Sequence, residues 1–285
     1  MFAIHALHLL LKCFLERLVF IRRPKSIVQL TCDGNGVVCP LVRARGDTMP
    51  SASSIIPKET FRFFRDLGRN NKKIWMDANR DRYQASVVEP LRRLLEQLAP
   101  AVLRLNDRFD VTGRSGTNFS RINRDIRFAK DKTPYKTQMY LKFETPAPGH
   151  REAGQLYAGF SGDTVTAGFR IYSGGKRKDS TIALVAQPRA QSNPRWLTRK
   201  KKRLARKYES YWYTTEKGQW TKHDGWPTDP EAWAKIQAWI VRRKMKPAVA
   251  FGAAFPKELE KTFRELYPLV KFTSLPDQEP SYRSV

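Results

Sequence analysis

An α+β fold is predicted, with N-terminal helices packed on a mainly antiparallel sheet and further helices in the C-terminal half. Three features of the sequence predict it. Helical periodicity runs from Pro57 to Asn106, strand-like alternation follows as far as Tyr172, and helices and strands then mix. Helices first and strands next disfavours a doubly wound α/β arrangement.

In chain order, "PKETFRFFRDLGRNN" puts Phe61, Phe64 and Leu67 on one helical face, with Pro57 in the first turn and Gly68 at the stop. Asn70 and Asn71 are expected to end that helix, one of them in a left-handed conformation. Trp75, Tyr83, Val87, Leu91, Leu94, Leu95 and Leu98 form the inward stripe of the next helical stretch, which Pro90 and Pro100 kink or restart. Strand patterns follow in "NFSRI", "QMYLKFE", "QLYAGFSG" and "TVTAGFRIY", the last two joined by a hairpin-type "SGD". "DSTIALVAQ" and "PRWLTRKKKRLARKY" return to helix, and "SYWYTT" and "GQWTKH" make a hairpin around "EKG". "DPEAWAKIQAWIVRRK" is predicted as a helix capped by Asp229 with Pro230 in first position; "PAVAF" as a strand; and "PKELEKTFRELYPLV" as a closing helix.

A chain of 285 residues that is 41% hydrophobic can bury a substantial core. Its net charge of +26 points to polyanionic partners: nucleic acid, anionic lipid or phosphorylated ligands. Cys13, Cys32 and Cys39 all precede Pro40, so the body of the chain has no disulfide, thiol nucleophile or Cys zinc site. With only His5, His8, His150 and His223 available, no metal is expected, and a reducing, cytoplasmic setting fits. No GxGxxG or GxxxxGK[ST] loop occurs, so no nucleotide cofactor is expected.

Residues 1–48 read as a separate leader. "MFAIHALHLLLKCFLERLVFIRRPK" has a narrow polar stripe of His5, His8, Lys12 and Glu16, but its basic group follows the apolar run, unlike a signal peptide. Lys12, Glu16 and Arg17 interrupt what would otherwise be a spanning helix. Contact with a membrane surface through residues 1–23 is the disfavoured alternative to reading Met49 as the true start. The expected body is then one α+β domain, 49–285, with a basic, aromatic-rich insertion at about 195–226.

The densest mixture of charge is "RINRDIRFAKDKTPYK". If "FSRINRDIRF" is a strand, Arg121, Asn123, Asp125 and Arg127 share one face, and Ile122, Arg124, Ile126 and Phe128 the other. Arg124 among apolar neighbours then requires a carboxylate, with Asp77, Glu89, Asp125 and Asp131 available. One reading is an ion-pair lattice pinning sheet to helices. The other is an anion site in which Arg121, Arg124, Arg127, Lys132 and Lys136 grip a phosphate or carboxylate, oriented by Asp125 and Asp131. A catalytic variant would use Asp125 or Asp131 as base and Tyr135 as acid, although a carboxylate beside arginine is a poor base at neutral pH.

"NNKKIWMDANRDRYQASVVEPLRRLLEQLAP" followed by "RINRDIRFAKDKTPYKT" resembles the family known as domain of unknown function 2461. The pattern falls on Asn70, Asn71, Trp75, Asp77, Ala78, Asn79, Arg80, Tyr83, Glu89 and Pro90. It resumes on Arg124, Asp125, Arg127, Phe128, Asp131, Lys132, Pro134, Tyr135 and Lys136. With "FRELYPLVKF", the resemblance covers about residues 58–273. It implies no assigned activity. The chain departs from the family in having "TAGFRIYSGG" where a Gly-rich segment is usual, and in its basic insertion.

That insertion brings Arg199, Lys200, Lys201, Lys202, Arg203 and Arg206 onto one helix, followed by Tyr208, Tyr211, Trp212, Tyr213, Trp220 and Trp226. Such a helix can neutralise phosphates, and exposed rings beside it can stack unpaired bases. Alternatively, Trp196, Leu197 and Leu204 face the core, the charges are solvated, and the rings fill one side of a hairpin. His223 beside Asp224 suggests an acid-base pair on paper, but in a turn it reads as a surface residue. The expectation carried forward is an anion-binding protein, with nucleic-acid binding through this segment. An enzyme of unassigned reaction and a purely structural domain are the alternatives.

Overall fold

The computed structural model describes residues 54–146, 154–172, 181–214 and 216–275; the leader and the "SGGKRKDS" segment lie outside them. Helix α1 (Lys58–Arg69) buries Phe61, Phe63, Phe64 and Leu67, its amphipathic face. Pro57 is the residue before its first turn, and Asn70 closes it at φ −126°, ψ 42°, so Asn70 is not the left-handed cap. Two short helices follow, α2 (Lys73–Ala78) and α3 (Arg80–Tyr83). The chain then widens into a π-helical turn over Gln84–Val88 and continues as α4 (Glu89–Leu105).

Pro90 explains that widening. It has no N–H to offer the Ser86 carbonyl, and the buried Thr60 hydroxyl of α1 donates to that carbonyl instead. The proline kink expected from the sequence is thus also the point where α1 docks. Thr60→Val is isosteric but leaves a buried carbonyl unsatisfied; a loss of about 1 to 3 kcal/mol is expected in denaturant unfolding. Arg82 makes a second tie, donating to Glu59 and Asp66 of α1 at 2.8 and 2.7 Å.

The sheet contains β1 (Gln138–Phe143), β2 (Gln155–Ser161), β3 (Val165–Tyr172), β4 (Glu209–Thr214), β5 (Trp220–His223) and β6 (Ile236–Met245). Its order is β1-β2-β3-β6-β4-β5, and every pairing is antiparallel. Between β3 and β4 the chain forms α5 (Thr181–Ser192) and α6 (Pro194–Leu204), and it ends in α7 (Phe255–Thr273). Helices cover the face that carries Leu141, Phe143, Leu156, Phe160, Phe169 and Val241. Phe143 meets Phe263 of α7 edge-on at 5.7 Å, and Phe160 meets Phe255 at 6.2 Å. Period-2 alternation sends every second strand residue to this core.

Three expectations are corrected. Residues 119–128 form no strand; they are irregular backbone with isolated bridges at Phe119 and Asn123. The segment from Asp229 starts as a helix does, with the Asp229 side chain accepting from Glu231 N at 3.1 Å and Pro230 next, but stops as a 3-10 turn at Lys235. Its second half is β6, the strand inserted between β3 and β4. "PAVAF" is a 3-10 turn, Pro247–Phe251.

The indole-rich part of the core sits under β6. Trp239 meets Phe169 and Trp233 at 5.0 Å and Trp226 at 5.7 Å. Its N–H donates to Ser210 Oγ at 3.1 Å, where the Trp212 N–H also arrives at 3.1 Å. Among the described residues, no helix is long and apolar enough to cross a membrane.

Candidate functional site

Helix α6 begins where the sequence says it should. The Asn193 side chain accepts from Trp196 N at 3.2 Å, and Pro194 occupies the first position. Leu197 and Leu204, two turns apart, are buried, and Trp196 stacks on Phe272 of α7 at 5.3 Å with a 17° interplanar angle. These contacts fix the inward face. Arg195, Arg199, Lys202, Arg203 and Arg206 therefore point to solvent, with Lys200 and Lys201 at the flanks.

None of these cations has a carboxylate within ion-pair distance among the described residues. The cluster is left to repel itself: partial burial and the neighbouring Arg203 and Arg199 push the Lys200 ammonium below its ordinary pKa. The helix dipole compensates by up to about 1 kcal/mol per cation in the last turn, which covers Lys201, Lys202 and Arg203. It does nothing for Arg195 and Arg199 at the other end. Two hollows of about 450 Å³ each open along α6, one holding Asn193, Trp196, Lys200 and Lys271, the other Trp196, Arg199, Lys200 and Arg203.

The loop of residues 121–136 is arranged differently. Arg124 donates to Asp131 and to the Thr133 hydroxyl, and Asp131 also accepts from Thr133 N at 2.9 Å. Those hydrogen bonds, Arg124 first, hold the Asp131 carboxyl down at about 2. Arg127 clamps Asp125 with two bonds of 3.0 and 2.8 Å and lowers its pKa in the same way. Lys132 donates to the backbone carbonyls of Ile126 and Arg127 at 3.0 and 3.5 Å. Arg121 is exposed, Lys136 half-buried and Tyr135 buried.

Asn71 explains the buried tyrosine. Its amide donates to Tyr135 O at 2.8 Å and accepts from Tyr135 N at 3.0 Å, a two-bond splice of the loop onto the start of α2. Asn79 holds the end of α2, donating to Trp75 O at 2.9 Å, and Asp77 pairs with Lys73 and Arg80. Much of the motif behind the resemblance thus serves the helix–loop junction. Arg124→Ala is expected to lower the melting temperature slightly, by the same amount with and without inorganic phosphate; ligand-dependent stabilisation lost in the mutant would instead mark a site.

His223 does not pair with Asp224. It stacks on Trp212 at 3.7 Å and 10°, and burial, followed by Lys217, lowers its pKa. Among the described residues, no three His, Cys, Asp or Glu side chains gather as a metal site.

The sequence reading missed the second face of the sheet. Residues opposite the core carry Tyr140 and Lys142 of β1, Tyr157 of β2, Arg170 and Tyr172 of β3, Ile240 and Arg242 of β6, Tyr211 and Tyr213 of β4, and Trp220 and Lys222 of β5. Arg170 lies over Tyr140 and Tyr157 at 4.6 and 4.8 Å from the ring centroids, and Arg242 over Tyr211 at 4.6 Å. The signal was present as the alternation of Tyr211, Trp212 and Tyr213, which sends the tyrosines to this face and the tryptophan to the other. The hairpin rings therefore divide between two faces.

No curated protein matches this chain. A family described as "Conserved hypothetical protein (DUF2461)" matches residues 59–272, from α1 to the end of α7, with the basic helix and all six strands inside the matched span. The chain belongs to that family of conserved hypothetical proteins, DUF2461.

Proposed function

We propose that this protein binds nucleic acid, gripping the phosphate backbone with the outward face of α6. One observation carries the reading: Arg195, Arg199, Lys200, Lys201, Lys202 and Arg203 share one short helix, Arg206 follows in the turn after it, and none has a carboxylate partner among the described residues, whereas Arg124, Arg127 and Arg82 elsewhere are matched to acids. An uncompensated cationic stripe relaxes when phosphates displace the counterions it would otherwise hold, and the released ions drive binding. Arg121 and Lys136 add to the positive field without forming the main contact.

Asp125 and Asp131, held as carboxylates by their arginines, do not favour the enzymatic alternative. A salt titration of binding to single-stranded and duplex oligonucleotides tests the proposal. With four to six phosphates engaged, log K against log salt should fall with a slope of about −3 to −5. Absence of measurable affinity at about 0.1 M salt would remove the reading.

A further inference from the structure

We propose that the face of the sheet on which no helix packs among the described residues is a base-stacking surface for single-stranded nucleic acid, continuous with the phosphate-gripping face of α6. The proposal rests on the nucleic-acid reading of α6 and adds the kind of strand that is bound.

Register places the rings in rows. Lys142, Tyr157, Gly168, Arg242 and Glu209 lie across one row, Gln155, Arg170, Ile240, Tyr211 and Lys222 across the next, and Tyr172, Ala238, Tyr213 and Trp220 across a third. Small residues sit under the large ones. A Cβ on Gly159 would meet the Tyr140 ring at 2.6 Å, so glycine there lets that ring lie across the sheet. A Cβ on Gly168 would meet the Val241 carbonyl at 2.2 Å and Arg242 Cα at 2.8 Å. The result is a low surface of rings and guanidinium planes rather than a row of upright side chains.

Cross-strand aromatic pairs also stabilise ordinary sheets, and Tyr157, 2% exposed beneath Arg170, does no more than that. Tyr172 and Trp220 are different: they are 40% and 42% exposed, with ring centroids 6.0 Å apart and Tyr213 at 5.8 Å from Trp220. A purely structural cluster would gain by burying them. Their π-faces are what unpaired bases stack on, and a duplex hides its bases from such a surface.

The charges on this face suit the same ligand. Lys142, Arg170, Lys222, Arg242 and Lys244 oppose Glu144 and Glu209. Glu144 is taken by Lys142 at 2.8 Å, while Glu209 is shared among Lys222, Arg242 and Lys244 at 3.2 to 3.9 Å. Among the described residues Arg170 has no carboxylate partner, only Gln155 Oε1 at 3.0 Å, and Arg242 Nε is buried without a hydrogen-bond partner.

A hollow of about 430 Å³ joins the two regions. Arg206 and Lys207, in the turn just past α6, line it together with Glu209 and Lys222 of the sheet face. A strand held by phosphate on α6 can pass through it and lay its bases over Trp220, Tyr213 and Tyr172.

The test uses fluorescence anisotropy with an oligonucleotide of about 12 residues, single-stranded and as a duplex. Trp220→Thr with Tyr172→Thr keeps β-forming residues at both positions but removes the rings. Single-strand affinity is expected to fall about tenfold to a hundredfold, with duplex affinity unchanged within about twofold, and Trp220→Phe should retain most of the single-strand affinity. Photo-crosslinking of a bromouridine strand to the unaltered protein requires no variant and should map to residues 172, 213 or 220.

Single-strand affinity unaffected by losing both rings, or reduced equally with duplex, overturns the stacking surface while leaving the α6 reading intact. Crosslinks confined to α6 do the same. No binding of either probe by the unaltered protein removes both.

Discussion

Reversing three charges on the outward face of α6, with Arg199→Glu, Lys202→Glu and Arg203→Glu together, is expected to weaken oligonucleotide binding strongly near physiological salt while leaving the fold in place. The first two are exposed side chains one turn apart, and Arg203 follows beside them. Removing three phosphate contacts should flatten the salt slope on a single strand by about 2 and lower affinity about a hundredfold at 0.1 M salt. Repulsion between the new glutamates and phosphate adds to that loss. The same substitutions relieve the field that depresses Lys200, at the cost of acids near a helix C-terminus, so melting should move by only a few degrees. Loss of affinity with an unchanged melting curve is the signature of the proposed interface; a variant that binds as before would transfer the positive field's role elsewhere.

Trp239→Ala should cost about 3 to 5 kcal/mol, one of the largest stability losses available to a single substitution in this chain. Its ring fills the space between β3 and the tryptophans that follow β5, and its N–H is one of two indole donors on Ser210 Oγ. Deletion leaves a cavity walled by Phe169, Trp226 and Trp233, side chains too large and too well anchored to collapse inward. For a domain of this size the melting temperature should drop by the order of 10 °C, and the denaturant midpoint should fall without a change in slope. Trp220→Thr, by contrast, should leave stability nearly unchanged. Six of the seven tryptophans, Trp75, Trp196, Trp212, Trp226, Trp233 and Trp239, are tied into packing or hydrogen bonds of the core side.

Most elements were legible in the sequence because their causes are local. Pro57 before α1 and the 3.6-residue spacing of Phe61, Phe64 and Leu67 act within a turn or two. Segment 236–245 was misread for an equally definite reason. A true capping signal at Asp229 precedes it, and its two faces are both partly apolar, Trp239 and Val241 inward and Ile240 outward, which blurs the period of two. Residues 119–128 erred the other way. They alternate like a strand, but the Arg124–Asp131 pair and the Asn71 splice take up the backbone in a loop, and only single bridges form.

From its residues alone this chain is marked as α+β, similar to its family and strongly cationic, with a basic helix over "PRWLTRKKKRLARKY" for which Trp196, Leu197 and Leu204 are one candidate inward face. Tertiary structure alone decided which cations are spent on acids and which rings meet. Arg170 reaches Tyr140, and Tyr172 reaches Trp220, across a sheet in which β6 enters between β3 and β4 from a distant part of the chain. Local periodicity reports which side of its own strand a residue occupies. Strand order and register, set by burial of the opposite face against α4, α5 and α7, determine what lies beside it.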